Sequence, residues 1–119
     1  MSRRTEKINE LLREEISGMV ATELRDPRLF SIVSITYVET SADLRYAKVF
    51  ISVLGADDDK KRSLEALESA AGFLHRELKG RVHLRRMPQL YFKLDESIEK
   101  SNRIFKLIKE GIPTEEERD

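Results

Sequence analysis

The stretch LRYAKVFISVLG, residues 44–55, alternates apolar and polar side chains with the period of two that is typical of a half-buried β-strand. Its small and branched apolar residues share one face: Ala47, Val49, Ile51 and Val53. The segment FSIVSITYVE, residues 30–39, precedes it and is also rich in β-branched and aromatic residues, with the turn-like TSAD between the two. This arrangement predicts an antiparallel hairpin.

The residues upstream of the hairpin carry a helical pattern. Apolar side chains recur there at helical spacing, at Ile8, Leu11, Leu12, Ile16, Met19, Val20 and Leu24. Thr5 is a suitable N-cap, and Asp26 precedes Pro27, a pair that disfavours helical backbone. We therefore predict a first helix over residues 5–24.

The residues downstream predict more helix and one more strand. Three aspartates at 57–59 suit a helix N-terminus, and helical apolar spacing continues from them to Gly80. PQLYFKLD, residues 88–95, alternates like a third strand, and a last helix is expected from about Asp95 to Gly111. Amphipathic helices covering one face of three strands predict a two-layer α+β sandwich.

Length and composition limit the class of protein. A chain of 119 residues supports one hydrophobic core, so we expect residues 1–110 to form a single domain and residues 111–119 to be a disordered acidic tail. Cysteine is absent, which excludes thiol catalysis and thiolate metal sites. No apolar run approaches the length of a membrane span or a signal peptide, so a cytoplasmic protein is expected.

Charge is balanced over the chain but not along it. Lys plus Arg number 22 and Asp plus Glu number 22, which counts against a generic nucleic-acid binder. HRELKGRVHLRR, residues 75–86, is nevertheless strongly basic, while acidic triplets stand at 57–59 and 115–117. Such a dipolar distribution suits local phosphate binding.

Signals for catalysis are weak. His75 and His83 have no partners at metal-ligand spacing, and the acidic triplets are explained by helix-start stabilisation and a solvated tail. No phosphate loop, dinucleotide fingerprint or nucleophile elbow is present. We therefore expect no metal, no cofactor and no enzymatic activity, and a small nuclease would need a metal cluster that the sequence does not supply.

Gly72 interrupts a helical pattern in ESAAGFLHREL, residues 68–78. A glycine inside a helix costs roughly 1 kcal/mol relative to alanine. On one interpretation, Ala70, Ala71 and Gly72 only let the helix pack tightly, and the arginines beyond them are solvated. On the other, the helix breaks there, and the new N-terminus offers backbone N–H groups to phosphate.

The order of predicted elements resembles the type II KH fold, but no G-x-x-G loop is present. Ala70-Ala71-Gly72 is similar to the Ala-x-Gly helix kink of the bacterial ribosome-binding factor A family. Three further stretches resemble that family in the expected order: LRDPRL (24–29), DLRYAKVFISVLG (43–55) and LRRMPQLYFKLDESIEKSNRI (84–104). The resemblance covers about residues 5–110.

The resemblance implies a non-enzymatic assembly factor that binds the free small (30S) ribosomal subunit. Such factors assist late maturation and processing of the 16S ribosomal RNA and are tied to growth in the cold. We expect a monomer that contacts RNA phosphates through its basic run, at Arg76, Lys79, Arg81, Arg85 and Arg86, with a second cluster at Arg3, Arg4 and Lys7. The alternative is a protein–protein adaptor that docks through an exposed strand face bearing Tyr46, Phe50 and Tyr91.

Overall fold

The structure is a computed structural model that describes residues 3–24, 26–27 and 32–96. The elements follow the chain in this order: α1 (Arg3–Thr22), β1 (Ile32–Thr40), β2 (Tyr46–Leu54), α2 (Asp57–Arg81) and β3 (Gln89–Leu94). Asp95 and Glu96 have no regular secondary structure. The rest of the predicted last helix and the predicted acidic tail at 111–119 lie outside the described residues.

The three strands form one sheet with β2 in the centre. β1 pairs with β2 in the antiparallel sense, which confirms the predicted hairpin, and a bulge interrupts the register between Ile35 and Tyr37. β3 pairs with β2 in the parallel sense, with Tyr46 opposite Gln89. A parallel pair needs a crossover connection, and α2 supplies it.

Both helices pack on one face of this sheet. The apolar face predicted for β2 is buried, and Ala47, Val49 and Ile51 have no exposed surface. The helical residues with no exposed surface that face it are Leu12, Ile16, Met19, Leu67, Leu74 and Leu78. The two-layer α+β sandwich is therefore confirmed. Leu11 departs from the predicted stripe of α1, because 41% of its surface is exposed.

The observed element ends differ slightly from the predicted ones. α1 begins at Arg3, before the predicted cap Thr5, and ends at Thr22, well before Pro27. α2 begins at Asp57, where the carboxylate Oδ2 of Asp59 accepts a hydrogen bond from the Ala56 N–H at 3.0 Å. Among the described residues, no helix combines the length and the apolar character that a bilayer crossing requires.

α2 is one helix through Gly72, so the interpretation in which the helix breaks there into two helices is wrong. The φ of Gly72 lies outside the left-handed region, and a Cβ there would only touch Nη1 of Arg76 at 3.6 Å. Buried Leu67 and Leu74 on either side hold the helix against the sheet, which offsets the modest cost of a glycine. Backbone N–H groups inside a helix bond to carbonyls of the preceding turn, so they are not free for phosphate. A bend of the axis at Ala70 to Gly72 that keeps these bonds stays a prediction.

Candidate nucleic-acid interface

Three separate segments meet at one end of the sheet: the first turns of α1, the β1–β2 loop (41–45) and the α2–β3 loop (82–88). The two loops are neighbours because parallel strands begin at the same end of a sheet. The Gln89 N–H donates to the carbonyl of Arg45 at 2.9 Å. α1 is held beside them by the buried Asn9, whose Oδ1 accepts the N–H of Thr40 at 2.9 Å and the Thr40 hydroxyl at 2.5 Å.

The β1–β2 loop is braced by its own hydrogen bonds. The Ser41 hydroxyl donates to Oδ1 of Asp43 at 2.7 Å, and the Arg45 N–H donates to the same oxygen at 3.1 Å. These donors, the Ser41 hydroxyl above all, lower the pKa of the Asp43 carboxyl. The Leu44 N–H donates to the Ser41 carbonyl at 3.0 Å. The loop therefore presents Leu44 and Arg45 in a defined conformation.

The α2–β3 loop is held in place by a contact with α2 and by its own buried residues. His75 is half-buried, and its Nε2 lies 3.2 Å from the carbonyl oxygen of Met87. Pro88 is buried, and Val82 keeps only 4% of its surface exposed. His75 is thus a structural residue, whereas His83 is exposed. Within residues 3–24, 26–27 and 32–96, no three His, Asp or Glu side chains are grouped to hold a metal ion.

Cations from all three segments surround two adjoining clefts. Four arginines and a single carboxylate line the larger cleft of about 650 Å³, namely Arg4, Arg45, Arg85, Arg86 and Asp43. Arg3, Lys7 and His83 line the second cleft of about 410 Å³ together with Arg4 and Arg85. Lys79 adjoins both loop arginines in a third depression. We call this set the basic surface: Arg3, Arg4, Lys7, Arg45, Lys79, His83, Arg85 and Arg86.

Within the basic surface, Nε of Arg45 lies 3.6 Å from Oδ2 of Asp43, and two arginines outside it are also engaged in ion pairs. Arg81 binds Glu23 just beyond the end of α1 and lies 3.5 Å from a carboxylate oxygen of Glu77. The hydrogen bond to Glu23 is the main cause of the raised pKa of Arg81. Arg13 binds Glu10 one turn earlier on α1. Arg81 is exposed like its neighbours in the basic run, but its guanidinium also links the end of α2 to Glu23.

Most of the chain matches one protein family. Residues 4–108 match the family model described as ribosome-binding factor A. The chain belongs to this family. A ribosome-binding factor A of Acetivibrio thermocellus is 51% identical over 107 residues, which cover 90% of this chain and 87% of that protein. A ribosome-binding factor A of Dictyoglomus thermophilum is 42% identical over 119 residues and covers 100% of this chain and 98% of its own length.

Solved structures of ribosome-binding factor A share the fold. The crystal structure of the Thermus thermophilus protein superimposes with a TM-score of 0.67 at 27% identity, covering 76% of this chain and 93% of that one. A Thermus thermophilus homology model fitted into the cryo-EM map of a complex with 30S superimposes with a TM-score of 0.61 at 27% identity, covering 74% and 91%. The likeness implied by the sequence motifs is therefore confirmed at the level of family and fold.

The fold brings most of the phosphate-binding residues proposed from the sequence onto one surface. The N-terminal cluster of Arg3, Arg4 and Lys7 adjoins Arg85 and Arg86 although some 80 positions separate them in the chain. Lys79 lies at the border of that surface. Arg76 is exposed one turn earlier on α2, and Arg81 is paired with Glu23.

Arg45 belongs to the basic surface but is not among the residues that the sequence predicts. Its segment carries the pattern of the start of a strand, and nothing local marks it as part of a basic cluster. The relevant signal is the parallel register that sets Tyr46 opposite Gln89, which puts Arg45 next to the loop that carries Arg85 and Arg86. The family motif DLRYAK contains Arg45, but a motif match does not show which other segment lies beside it.

The opposite face of the sheet carries the aromatic residues of the adaptor hypothesis. Tyr46 and Tyr91 are each 50% exposed, and their ring centroids lie 5.8 Å apart. Phe50 is half-buried beside Tyr37, with ring centroids 5.9 Å apart. Among the described residues these side chains point away from the core, as the strand alternation predicts.

Proposed function

We propose that this protein binds the free small (30S) ribosomal subunit through the basic surface and thereby assists late maturation and processing of its 16S ribosomal RNA. Membership of the ribosome-binding factor A family supports this proposal. So does the structural likeness to a Thermus thermophilus protein fitted into the map of a 30S complex. The protein would act as a monomer in the cytoplasm, where it would meet subunits during their assembly.

The observation that carries the proposal is the convergence of like charges. Within the part of the chain that the structure describes, Arg4, Arg85 and Arg86 line one cleft without a carboxylate bound to any of them. Bringing such charges together is unfavourable for folding, whereas Arg13 and Arg81 show that pairing is available elsewhere. A surface of unpaired arginines is suited to a polyanion, because each phosphate contact releases counterions.

The mechanism that this arrangement supports is binding without covalent chemistry. A protein that binds one RNA arrangement more tightly than another shifts the population toward the favoured arrangement. Phosphate contacts set the position of the protein, and the shape of the folded RNA determines where those contacts coincide. Maturation would then be assisted as long as the factor occupies the subunit.

The test is sedimentation of the protein with free small subunits over a range of salt concentrations. We expect the affinity of the wild-type protein to fall steeply with salt, and the logarithmic slope to become shallower by about 0.7–0.9 for each lost phosphate contact. In the double variant Arg85→Gln/Arg86→Gln the slope should be shallower by twice this amount. This variant should also bind subunits more weakly, with an unchanged circular dichroism spectrum.

Arg13→Gln is the matched control for that double variant. It also removes an arginine charge, but from a site that is already neutralised by Glu10. Equal loss of binding in both variants would contradict the proposed surface. Binding of the wild-type protein that does not depend on salt would contradict RNA recognition altogether.

The adaptor remains the second candidate because of one observation, the exposed pair Tyr46 and Tyr91. An aromatic pair that is half-exposed on a sheet is the kind of surface that a partner protein covers. Tyr46→Ser/Tyr91→Ser should leave subunit binding unchanged if RNA contacts dominate. Loss of binding in this variant, with little salt dependence in the wild type, would favour the adaptor.

A further inference from the structure

We propose that the larger cleft of the basic surface holds one unpaired nucleotide, with its phosphate on the arginines and its base over an apolar floor formed by Ile8 and Leu44. This inference rests on the proposed function, since it names the part of the RNA that the basic surface takes up. Phosphate binding alone needs only exposed cations, whereas this cleft adds a hydrophobic surface between them.

The apolar floor lies between the cations. Ile8 and Leu44 line both adjoining clefts, as do Arg4 and Arg85, so two apolar and two cationic side chains form their common wall. Ile8 is 8% exposed, and Leu44 is partly buried against the core. Leu84 extends the apolar surface into the second cleft. A base that covers such side chains removes apolar surface from water while its phosphate stays at the charged rim.

The conformation of Leu44 is the second observation. Its φ is 60°, and it is the one positive value at a non-glycine position among the described residues. This left-handed conformation favours glycine or asparagine and is unfavourable for a bulky side chain. The hydrogen bonds of Ser41 and Asp43 hold the loop in this shape. Backbone strain that is held in place by its surroundings is concentrated at ligand sites.

Size and accessibility favour an unpaired nucleotide over a duplex. A cleft of about 650 Å³ is within the range of about 300–1,000 Å³ that accommodates small ligands. A duplex keeps its bases stacked inside, so it would meet the arginines but not the floor. An unpaired nucleotide can turn its base outward onto a protein surface. The one carboxylate of the cleft, Asp43, accepts hydrogen bonds from Ser41 and the Arg45 N–H, and its Oδ2 lies 3.6 Å from Nε of Arg45, which leaves Arg4, Arg85 and Arg86 in excess.

The direct test is a nuclear magnetic resonance titration of the full chain with three probes: adenosine 5′-monophosphate, ribose 5-phosphate and inorganic phosphate. All three carry the phosphate, and only the first carries a base. We expect adenosine 5′-monophosphate to bind about threefold or more tightly than ribose 5-phosphate. It should also shift the methyl signals of Leu44. Equal affinities for the three probes would overturn the inference and leave an anion-binding patch only.

Two variants separate the floor from the charges. Leu44→Gly suits the positive φ, so the melting temperature should stay close to that of the wild type while the preference for adenosine 5′-monophosphate over ribose 5-phosphate disappears. Leu44→Asn, which also tolerates this backbone conformation, should give the same result. Arg45→Gln should lower the affinity for all three probes about equally. A preference that survives both Leu44 variants would overturn the inference.

Sedimentation with free small subunits distinguishes failure of this inference from failure of the proposed function. Leu44→Gly and Arg45→Gln could bind subunits as the wild type does while Arg85→Gln/Arg86→Gln does not. In that case the proposed nucleotide site is wrong, but the basic surface still binds the subunit. If the wild-type protein does not bind subunits, the proposed function is wrong, and the nucleotide site is then overturned as a ribosomal RNA site. Lys61→Gln, on the exposed surface at the other end of α2, is the matched control and should change neither measurement.

Discussion

The two ends of α2 carry opposite charges but stand in different surroundings. Asp57, Asp58 and Asp59 occupy the first turn, and Lys79 and Arg81 the last, so each end complements the helix dipole. At the acidic end, the Asp59 carboxylate caps the helix by accepting a hydrogen bond from the Ala56 N–H. At the basic end, Lys79 instead adjoins Arg85 and Arg86, which in turn meet cations from α1 and from the β1–β2 loop. Local helix electrostatics thus explain the first end, while the second brings together like charges that folding alone does not favour.

The largest effect on subunit binding is expected from Lys79 at the basic end of α2, with Lys61 near the acidic end as its matched control. Lys79→Gln should lower the affinity for free small subunits about fivefold at about 0.1 M salt and make the logarithmic salt slope shallower by about 0.7–0.9. Lys61→Gln should change neither the affinity nor the salt slope, although it removes the same charge from an exposed position on the same helix. Similar losses in both variants would mean that the overall charge of the helix matters rather than its position.

The acidic end is tested by Gly55→Ala. A Cβ at position 55 would lie 2.8 Å from Oδ2 of Asp59 and 3.0 Å from its Cβ, so the carboxylate would have to leave the Ala56 N–H. We expect the free energy of unfolding to fall by roughly 0.5–1 kcal/mol in urea denaturation, because the lost cap outweighs the gain from removing a glycine.

A second variant identifies the cause of that loss. In an Asp59→Gly background neither the carboxylate nor the Cβ of residue 59 stands against the new Cβ, so Gly55→Ala should be neutral or stabilising there. The same destabilisation in both backgrounds would show that the cap is not responsible.

Gly72→Ala in the middle of α2 should have the opposite sign. The structure offers a Cβ only an ordinary contact with Arg76 and shows no left-handed backbone, so the variant should gain roughly 0.5 kcal/mol of unfolding free energy. This expectation reverses the one that a broken helix would give. A lower stability, measured in the same urea titration, would show that the helix needs its glycine for a bend.

The smallest effect is expected from the ion pair that ties the basic end of α2 to α1. Both partners are about one third exposed, and exposed pairs contribute little. Arg81→Gln and Glu23→Gln should each change the melting temperature by about 2 °C or less and leave subunit binding near that of the wild type. If Arg81→Gln weakens subunit binding as much as Lys79→Gln does, then Arg81 exchanges Glu23 for a phosphate in the complex.

The secondary structure was largely predictable because its signals are local. The alternation of residues 44–55 identifies the central strand and its buried face, and the spacing of apolar residues identifies the faces of both described helices. The motifs that run along the chain indicate the family for the same reason. Gly72 shows the limit of local signals: a glycine lowers helix propensity, but packing of Leu67 and Leu74 on either side keeps the helix intact.

By itself, the sequence determined the strands, the helical faces, the family and the basic run at 75–86. Only the tertiary structure decided which of those cations act together. The parallel register of β2 and β3 brings Arg45 to the loop that carries Arg85 and Arg86, and Asn9 holds the N-terminal cluster beside them. The contact with Glu23 pairs Arg81. The physical reason is that periodicity is a property of neighbours in the chain, whereas charge pairing depends on distances between residues that only folding brings together.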